Sequence, residues 1–240
     1  MEVPSDLLIE LASLVRDTLP EHLKRISIFK DFNNQLILAL NHSTSRFSRS
    51  VDANSDADLE LAKAFAAKSH YFERLSISYM IDAQQFFTSC QQLLYTWKIL
   101  QSLTLTSSTL APTTPRRDIY TLLKNASLTA LNMPQLKCLV LWNSEQGQAC
   151  AVIYLRHTDS RMATLTWRGT WDLELSHDVV ESWKKVASGS CHLRIESEAL
   201  QDVDIRSHGD AVYHLRLPDG VIDTESLRQI RQEGVMQRMA

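Results

Sequence analysis

The side chains best suited to metal chemistry lie close together near the end of the chain. His208, Asp210 and His214 place two imidazoles and a carboxylate within seven residues, and zinc accepts such ligands. The spacing of the two histidines puts them on different faces of a helix, and in a strand it separates them by about 20 Å. We therefore predict a hydrogen-bonded structural turn here, with neither a metal site nor a bound cofactor.

No residue pattern typical of a catalytic centre is found in the sequence. Cys191 and His192 are adjacent, and neighbouring residues of a strand point to opposite faces, so they cannot pair with each other. Glycine-rich phosphate-binding motifs are absent. We interpret Asp172, Glu174 and Asp178 as solvated turn or capping groups. We therefore assign no catalytic residue; an enzyme pocket, if there were one, would be expected near the strand ends.

The tryptophan-rich segment of residues 167–172 is the feature that we interpret as a binding site. Tryptophan and arginine are enriched at binding hot spots, because flat aromatic area buries well and a guanidinium makes bidentate hydrogen bonds. We therefore predict that four side chains of this segment contact a partner protein: Trp167, Arg168, Trp171 and Asp172. In the alternative interpretation, the tryptophans belong to the core and Arg168 pairs with Asp172.

Composition and charge exclude several classes of protein. The 240 residues are 44% hydrophobic and 22% charged, which is typical of a globular chain. The net charge of -3 argues against a general nucleic-acid binder, and no apolar run approaches the ~20 residues needed to span a bilayer. Because the amino terminus is acidic and the four scattered cysteines are interpreted as reduced thiols, we predict an intracellular protein, cytoplasmic or nuclear.

One short template recurs four times in the first part of the chain. It consists of an apolar residue, two of any type, a second apolar residue, one of any type and a third apolar residue. The copies occupy residues 23–28, 72–77, 100–105 and 136–141. Their last three positions alternate with period 2, which is typical of a short strand with one buried face.

Helical patterns alternate with these four strands. Their starts are expected at Ser5, at Ser55 or Asp56, at Asp82 and after Pro115. Such alternation predicts a parallel sheet with right-handed connections. The intervals between the strands are uneven, and most exceed the ~20–29 residues of a standard leucine-rich repeat. We therefore predict an irregular leucine-rich-repeat-like α/β solenoid, with an ordinary open α/β sheet as the alternative.

A solenoid presents an extended surface made of its exposed strand positions and loops. The polar residues expected to line this surface are Lys24, Ser27, Glu73, Arg74, Ser76, Gln101, Ser102, Thr104 and Lys137. Residues 41–58, which are rich in Ser, Asp and Arg, are expected to form a surface loop.

The last third of the chain mixes strands and helices without a repeat. The expected elements are strands at residues 149–156, 164–168 and 191–195 and helices that begin at Ser176 and at Asp223 or Thr224. A solenoid needs its open end covered. We therefore interpret residues 1–148 as the repeat region and residues 149–240 as an α+β cap.

Several segments carry a family resemblance: residues 23–33, 75–83, 139–144, 149–152, 166–176, 207–212 and 226–231. Together they resemble the conserved C-terminal domain of unknown function in fungal F-box-type proteins. The tryptophan-rich stretch is the most specific part, and the resemblance spans about residues 20–232. The family implies a leucine-rich-repeat-like interaction domain behind an N-terminal F-box, which docks a Skp-type adaptor of a ubiquitin ligase.

The resemblance implies a substrate-receptor role in ubiquitination and assigns no catalytic residue. Only about 20 residues precede the first predicted strand, so we expect this chain to lack the F-box and with it the docking of the adaptor. We predict a scaffold that binds a protein partner, without catalysis and without binding nucleic acid or a membrane. The alternatives are an α/β enzyme with no recognisable active-site motif and a truncated domain without function.

Overall fold

The chain folds around a mixed sheet whose strand order follows the sequence. The computed structural model describes residues 5–30, 51–93, 95–157, 159–187, 192–201, 203–222, 225, 228 and 229. Within this part the strands are β1 Arg25–Phe29, β2 Arg74–Asp82, β3 Ser102–Thr106, β4 Cys138–Glu145, β5 Gln148–His157, β6 Met162–Gly169 and β7 His192–Ala199. The helices are α1 Ser5–Ser13, α2 Val51–Lys68, α3 Ala83–Gln91, α4 Arg116–Ala130, α5 His177–Ala187 and α6 His208–Leu215.

The four copies of the sequence template form neighbouring parallel strands, β1 to β4. Their apolar positions are in register across the sheet. One row contains Ile26, Leu75, Leu103 and Leu139, and the next contains Ile28, Ile77, Leu105 and Leu141. Because side chains alternate between the faces of a strand, both rows lie on the same face. The prediction of a parallel sheet built from the template is confirmed.

Local sequence explains where two of the crossover helices begin. The Asp82 carboxylate accepts the backbone N–H of Gln84 at 2.7 Å and so caps α3. Pro115 precedes α4, where its fixed φ suits the start of a helix and no backbone donor is lost. Both starts match the predicted ones. α2 begins at Val51, so residues 51–58 are helical and the prediction of a surface loop is wrong for them. The rest of that predicted loop, residues 41–50, lies outside the described residues.

The larger core lies on the face of the sheet that carries the apolar rows. Leu103 and Leu139 are fully buried in one cluster with apolar side chains from α1 to α5. Alternate residues of the later strands, such as Val152 and Leu165, extend the same cluster. Five helices therefore share one face of the sheet.

The opposite face of the sheet is covered by residues 200, 201 and 203–222. Trp142 lies there in a second cluster with apolar side chains of α6. The Ser76 hydroxyl donates a hydrogen bond to the carbonyl of Val221. Ser76 and Thr104 are consequently only 4% and 1% exposed, so the prediction that they line an open surface is wrong. Their polar side chains at alternating strand positions suggested an exposed face, because the sequence does not show that a segment far along the chain covers it.

The sheet continues without a break into the last third of the chain. β4 and β5 form an antiparallel hairpin, and Gly147 supplies the positive φ of 78° in its two-residue turn. β6 is antiparallel to β5, and β7 returns parallel to β6 after α5. The strands expected in this third are confirmed as β5, β6 and β7. The division at residue 148 remains a prediction.

For the C-terminal part, the turn expected at His208 is corrected, and two further expectations concern residues that the structure does not describe. The segment of His208 is a helix rather than the predicted turn, because the Ser207 side chain accepts the N–H of Asp210 and caps α6. Cys191 and the helix start expected at Asp223 or Thr224 lie outside the described residues. No helix in the described ranges is long and apolar enough to cross a membrane.

Candidate functional site

A cleft of about 760 Å³ lies at the carboxyl ends of the parallel strands. Its lining includes Lys30 after β1, residues 79–82 at the end of β2, Thr109 after β3, and residues 143–146 at the end of β4 and in the turn that follows it. The first turns of α3 and α6 close its sides. Open α/β sheets bind their ligands outside the carboxyl ends of their strands, so this cleft is the candidate site.

An irregularity in β2 shapes the wall of the cleft. Ile77 pairs with Leu105 of β3, whereas the next pair along β2 joins Asp82 to Thr106. Residues 78–81 therefore form an insertion that leaves the regular ladder. Within it, Tyr79 has a φ of 60°, a left-handed conformation that is rare for a bulky residue and often occurs at functional sites. Its backbone N–H donates to the Thr106 hydroxyl at 2.7 Å.

Three side chains in the cleft form a hydrogen-bonded series. The Tyr79 hydroxyl lies 2.7 Å from Ser144 Oγ, and Ser144 Oγ lies 2.8 Å from His208 Nδ1. The rings of Tyr79 and His208 also contact each other, with centroids 4.5 Å apart. This series, the Tyr–Ser–His triad, joins the end of β2, the end of β4 and the start of α6.

Burial keeps the Tyr–Ser–His triad uncharged at neutral pH. It lowers the pKa of His208 from 6.5 to about 4, because the imidazolium loses hydration. It also raises the pKa of Tyr79 above its ordinary value of 10, and this outweighs the hydrogen bond with Ser144 that acts in the other direction. Among the residues that the structure describes, the formally charged side chains on the cleft wall are those of Lys30, Asp58, Asp82 and Glu145.

Asp82 fixes the geometry of one side of the cleft. Besides the N–H of Gln84, its carboxylate accepts the Ser107 hydroxyl and both the N–H and the hydroxyl of Ser108, each at 2.9 Å. These bonds tie the loop after β3 to the start of α3. Together these donors hold the Asp82 carboxylate in a fixed position at the wall.

The predicted binding segment is packed largely against the rest of the protein. Trp167 is 2% exposed and donates from Nε1 to the Trp171 carbonyl at 3.1 Å. The Arg116 guanidinium of α4 lies over the Trp171 ring at 4.8 Å and donates to the Asp172 carbonyl at 2.6 Å. Trp167 thus belongs to the core, while Trp171 is half-buried and Asp172 is exposed.

The close packing of this segment depends on a glycine. A Cβ on Gly169 would lie 3.1 Å from the Cβ of Cys150 and 3.1 Å from Cζ2 of Trp167. These distances are shorter than ordinary van der Waals contact, so a larger residue would force its neighbours to move. Gly169 therefore serves close packing between β5 and β6.

Arg168 does not pair with Asp172 as the alternative interpretation supposed. Its guanidinium donates to Glu198 of β7 at 2.7 Å and to the backbone carbonyls of Leu215 and Arg216 at 2.5 and 3.1 Å. The hydrogen bond from Arg168 lowers the pKa of Glu198 below its ordinary value. Arg168 thus connects the edge strand to the end of α6.

The side chains considered for metal or thiol chemistry are engaged elsewhere. Asp210 accepts the Arg206 N–H and the Ser207 hydroxyl, and His208 faces Ser144. No group of three or more His, Cys, Asp or Glu side chains is placed to hold a metal ion in the part of the chain that the structure describes. Burial raises the pKa of the free thiols of Cys138 and Cys150 to about 11 and about 12.

Sequence reasoning missed most of the cleft because it took its binding surface from the faces of the strands. It placed a pocket near their ends only for the enzyme alternative and assigned no residue to it. A signal was available, since polar runs follow two of the predicted strands directly, at residues 106–109 and 143–146. Asp82 was recognised only as a helix cap. The contact between Ser144 and His208 joins residues 64 positions apart, and nothing local in the sequence indicates it.

Comparison with known proteins identifies a family but not an activity. The model of the family of unknown function DUF6546 matches residues 18–223, which is most of the chain. No curated protein matches the chain, and no solved structure does.

Proposed function

We propose that this chain, which belongs to the family of unknown function DUF6546, is a protein-interaction module that binds a partner protein without catalysis. The observation that carries the proposal is the cleft of about 760 Å³ at the carboxyl ends of β1 to β4. Its volume is within the range of clefts that bury a bound ligand, and we propose that a segment of the partner protein occupies it.

The proposal includes two finer interpretations of the chain. The in-register parallel strands, with five helices on one face, support a leucine-rich-repeat-like solenoid. The resemblance to fungal F-box-type proteins supports a substrate-binding role inside the cell, in the cytoplasm or nucleus. The predicted binding segment contributes through Trp171 and Asp172, because their side chains are at least partly accessible.

The test of this proposal uses a pair of matched variants on α3. Proteins that co-purify with the chain from its native cells are identified, produced in pure form and titrated against it by calorimetry. Gln85→Trp places an indole in the cleft, whereas Gln92→Trp places one at the exposed far end of α3. We expect a pure partner whose affinity falls at least tenfold with Gln85→Trp and is unchanged with Gln92→Trp.

Two results would overturn the proposal. In the first, no pure candidate binds the chain. In the second, a partner binds both tryptophan variants as tightly as it binds the original chain, so that the cleft plays no part in recognition. Thermal unfolding of both variants serves as the control for folding.

A second candidate function, ester hydrolysis, is favoured by one observation, the 2.8 Å contact between Ser144 Oγ and His208 Nδ1. A serine beside a neutral imidazole can attack the carbonyl carbon of an ester and pass its proton to the imidazole. The alcohol of the ester then leaves and takes up that proton, and water hydrolyses the acyl-serine that remains. Labelling by a fluorophosphonate that is lost in Ser144→Ala would support this function. An unlabelled, folded chain would exclude it.

A further inference from the structure

We infer that strand β7 joins two copies of this chain by pairing antiparallel with β7 of a second copy. The inference goes beyond the proposed function and does not depend on it. Three observations carry it: the direction of the backbone groups of β7, the order of the charges along the strand, and an exposed isoleucine beside an apolar recess.

β7 forms one end of the sheet and, among the residues that the structure describes, pairs with β6 alone. The backbone N–H groups of His192 and Leu200 donate to carbonyls on the β6 side. Because the backbone groups of successive residues point to opposite sides of a strand, the residues of odd number direct theirs away from β6. Those in the strand include Leu193, Ile195 and Ser197. Such a row can pair with a strand of another chain.

The charges along β7 complement one another about Ile195. Antiparallel pairing around a two-fold axis at this residue sets Arg194 of each copy opposite Glu196 of the other. The same pairing sets His192 opposite Glu198. These residues occupy the positions without backbone hydrogen bonds between the copies, where opposite side chains lie closest. Pairing centred on Arg194 or on Glu196 would instead set like charges opposite each other, so the charges select one register.

The side chains at these positions are accessible to a second copy. Within one copy Arg194 lies 3.1 Å from Glu196, and these side chains are 68% and 29% exposed. Glu198 is 45% exposed where it pairs with Arg168. Around the two-fold axis, the Arg194–Glu196 pairs of both copies form a network of four charges, which contributes more than an isolated exposed pair.

Ile195 gives the same pairing an apolar centre. It is 39% exposed and borders a recess of about 350 Å³ at the edge of the sheet. The apolar side chains that line this recess are those of Trp167, Leu173, Leu175, Val180 and Ile195 itself. At the two-fold axis the Ile195 side chains of both copies face each other on this side of the sheet, so pairing removes both from water.

The experiment measures the mass of the full chain by sedimentation over a range of concentrations, and we expect a dimer. Arg194→Glu sets a glutamate opposite Glu196, and Glu196→Arg sets an arginine opposite Arg194. Each variant alone is therefore expected to dimerise at least tenfold more weakly. An equal mixture of the two variants restores opposite charges at both positions and is expected to form a heterodimer.

Arg16→Glu is the matched control, because it makes the same charge change in the exposed Arg16–Glu60 pair, and it is expected to dimerise like the original chain. Thermal unfolding checks the folding of each variant at concentrations at which the chain is monomeric, so that stability does not include association. Three results would each overturn the inference: an original chain that stays monomeric at its highest soluble concentration, a single variant of β7 that dimerises as tightly as the original chain, and folded variants whose mixture does not associate.

Amide hydrogen exchange tests the same pairing without a substitution. The N–H groups of Leu193, Ile195 and Ser197 are expected to exchange more slowly as the concentration of the original chain rises, because they donate across the two-fold axis. Exchange at these positions that does not depend on concentration would show that β7 is not the interface.

Discussion

Arg168 joins three parts of the chain through one guanidinium group. Its bonds reach Glu198 of β7 and the carbonyls of Leu215 and Arg216 that end α6. Only 14% of its side chain is exposed, so its hydrogen bonds are shielded from water. Bonds of a charged donor in such a setting are worth more than those at an open surface.

Replacing Arg168 by alanine tests whether this residue serves the fold or a partner. We expect Arg168→Ala to lower the free energy of unfolding by about 2 kcal/mol, because a buried set of charge-assisted bonds is lost. Urea denaturation followed by tryptophan fluorescence measures the change. Arg194→Ala is the control, since the Arg194 side chain is 68% exposed where it pairs with Glu196 and ion pairs of exposed side chains contribute little. Equal stability of both variants, with partner binding lost only in Arg168→Ala, would contradict this assignment.

His208 makes stability depend on pH. Its pKa falls from 6.5 in the unfolded chain to about 4 in the fold, so between these values the unfolded chain binds the additional proton. We therefore expect the contribution of His208 to stability to be complete above pH 6.5 and to decrease as the pH falls towards 4, by up to about 3 kcal/mol. Urea denaturation at a series of pH values measures this slope.

The comparison variants for this prediction are His208→Gln and His177→Gln. Glutamine can still bond to Ser144 but does not titrate, so His208→Gln is expected to lose much of the slope. His177 is 85% exposed in its side chain, and its replacement is expected to leave the slope unchanged. A slope that His208→Gln does not alter would show that other groups cause the acid sensitivity.

At the scale of elements, the four template strands form the centre of the larger core. Leu103 of β3 lies between Leu75 and Leu139 in one of the two apolar rows and is fully buried. Burying one such side chain stabilises the fold by ~1.5–3 kcal/mol. Packing within rows of this kind contributes more to the stability of the sheet than the intrinsic strand propensities of the single residues.

A carboxylate in the middle of such a row is expected to prevent folding. Leu103→Asp would bury a charge without a partner, at a cost of several kcal/mol, and we expect loss of soluble protein on expression. Leu128→Asp is the matched control, because Leu128 of α4 is 49% exposed. A soluble Leu103→Asp protein with the melting temperature of the original chain would refute the assignment of β3.

The elements were predictable to the extent that their signals are local. The period-2 template identified β1 to β4, and the Asp82 cap and Pro115 identified the starts of α3 and α4. The helix α6 was missed because its sequence was interpreted through its histidines, although Ser207 and Asp210 form a capping pair. The burial of Ser76 was not predictable, since it depends on Val221, which lies 145 residues further along the chain.

At the scale of the whole molecule, the return of residues 200–222 across the sheet determines which surface is open. This segment, which includes α6, covers the centre of the face opposite α1 to α5, where the sequence predicted an exposed docking surface. It also brings His208 to the ends of the strands and so completes the cleft. The surface that stays open therefore lies at the carboxyl ends of the parallel strands and not on the face of the sheet that was predicted.

Two methionines lie at opposite ends of the strands, so their NMR signals can distinguish binding at one end from binding at the other. Met80 lines the cleft. Met162 begins β6 and is 37% exposed, and the register of β4 to β6 places it at the edge opposite the cleft. Their methyl groups therefore report separately on the proposed binding site and on a surface that is not expected to bind.

The most direct test of the account is an NMR titration of the methionine methyl groups of the chain with its purified partner. Signals are assigned with Met80→Leu and Met162→Leu. We predict that binding shifts or broadens the Met80 signal and leaves the Met162 signal in place. A partner that binds while the Met80 signal stays unchanged and the Met162 signal moves would contradict the claim that the cleft at the carboxyl ends of the strands is the binding site.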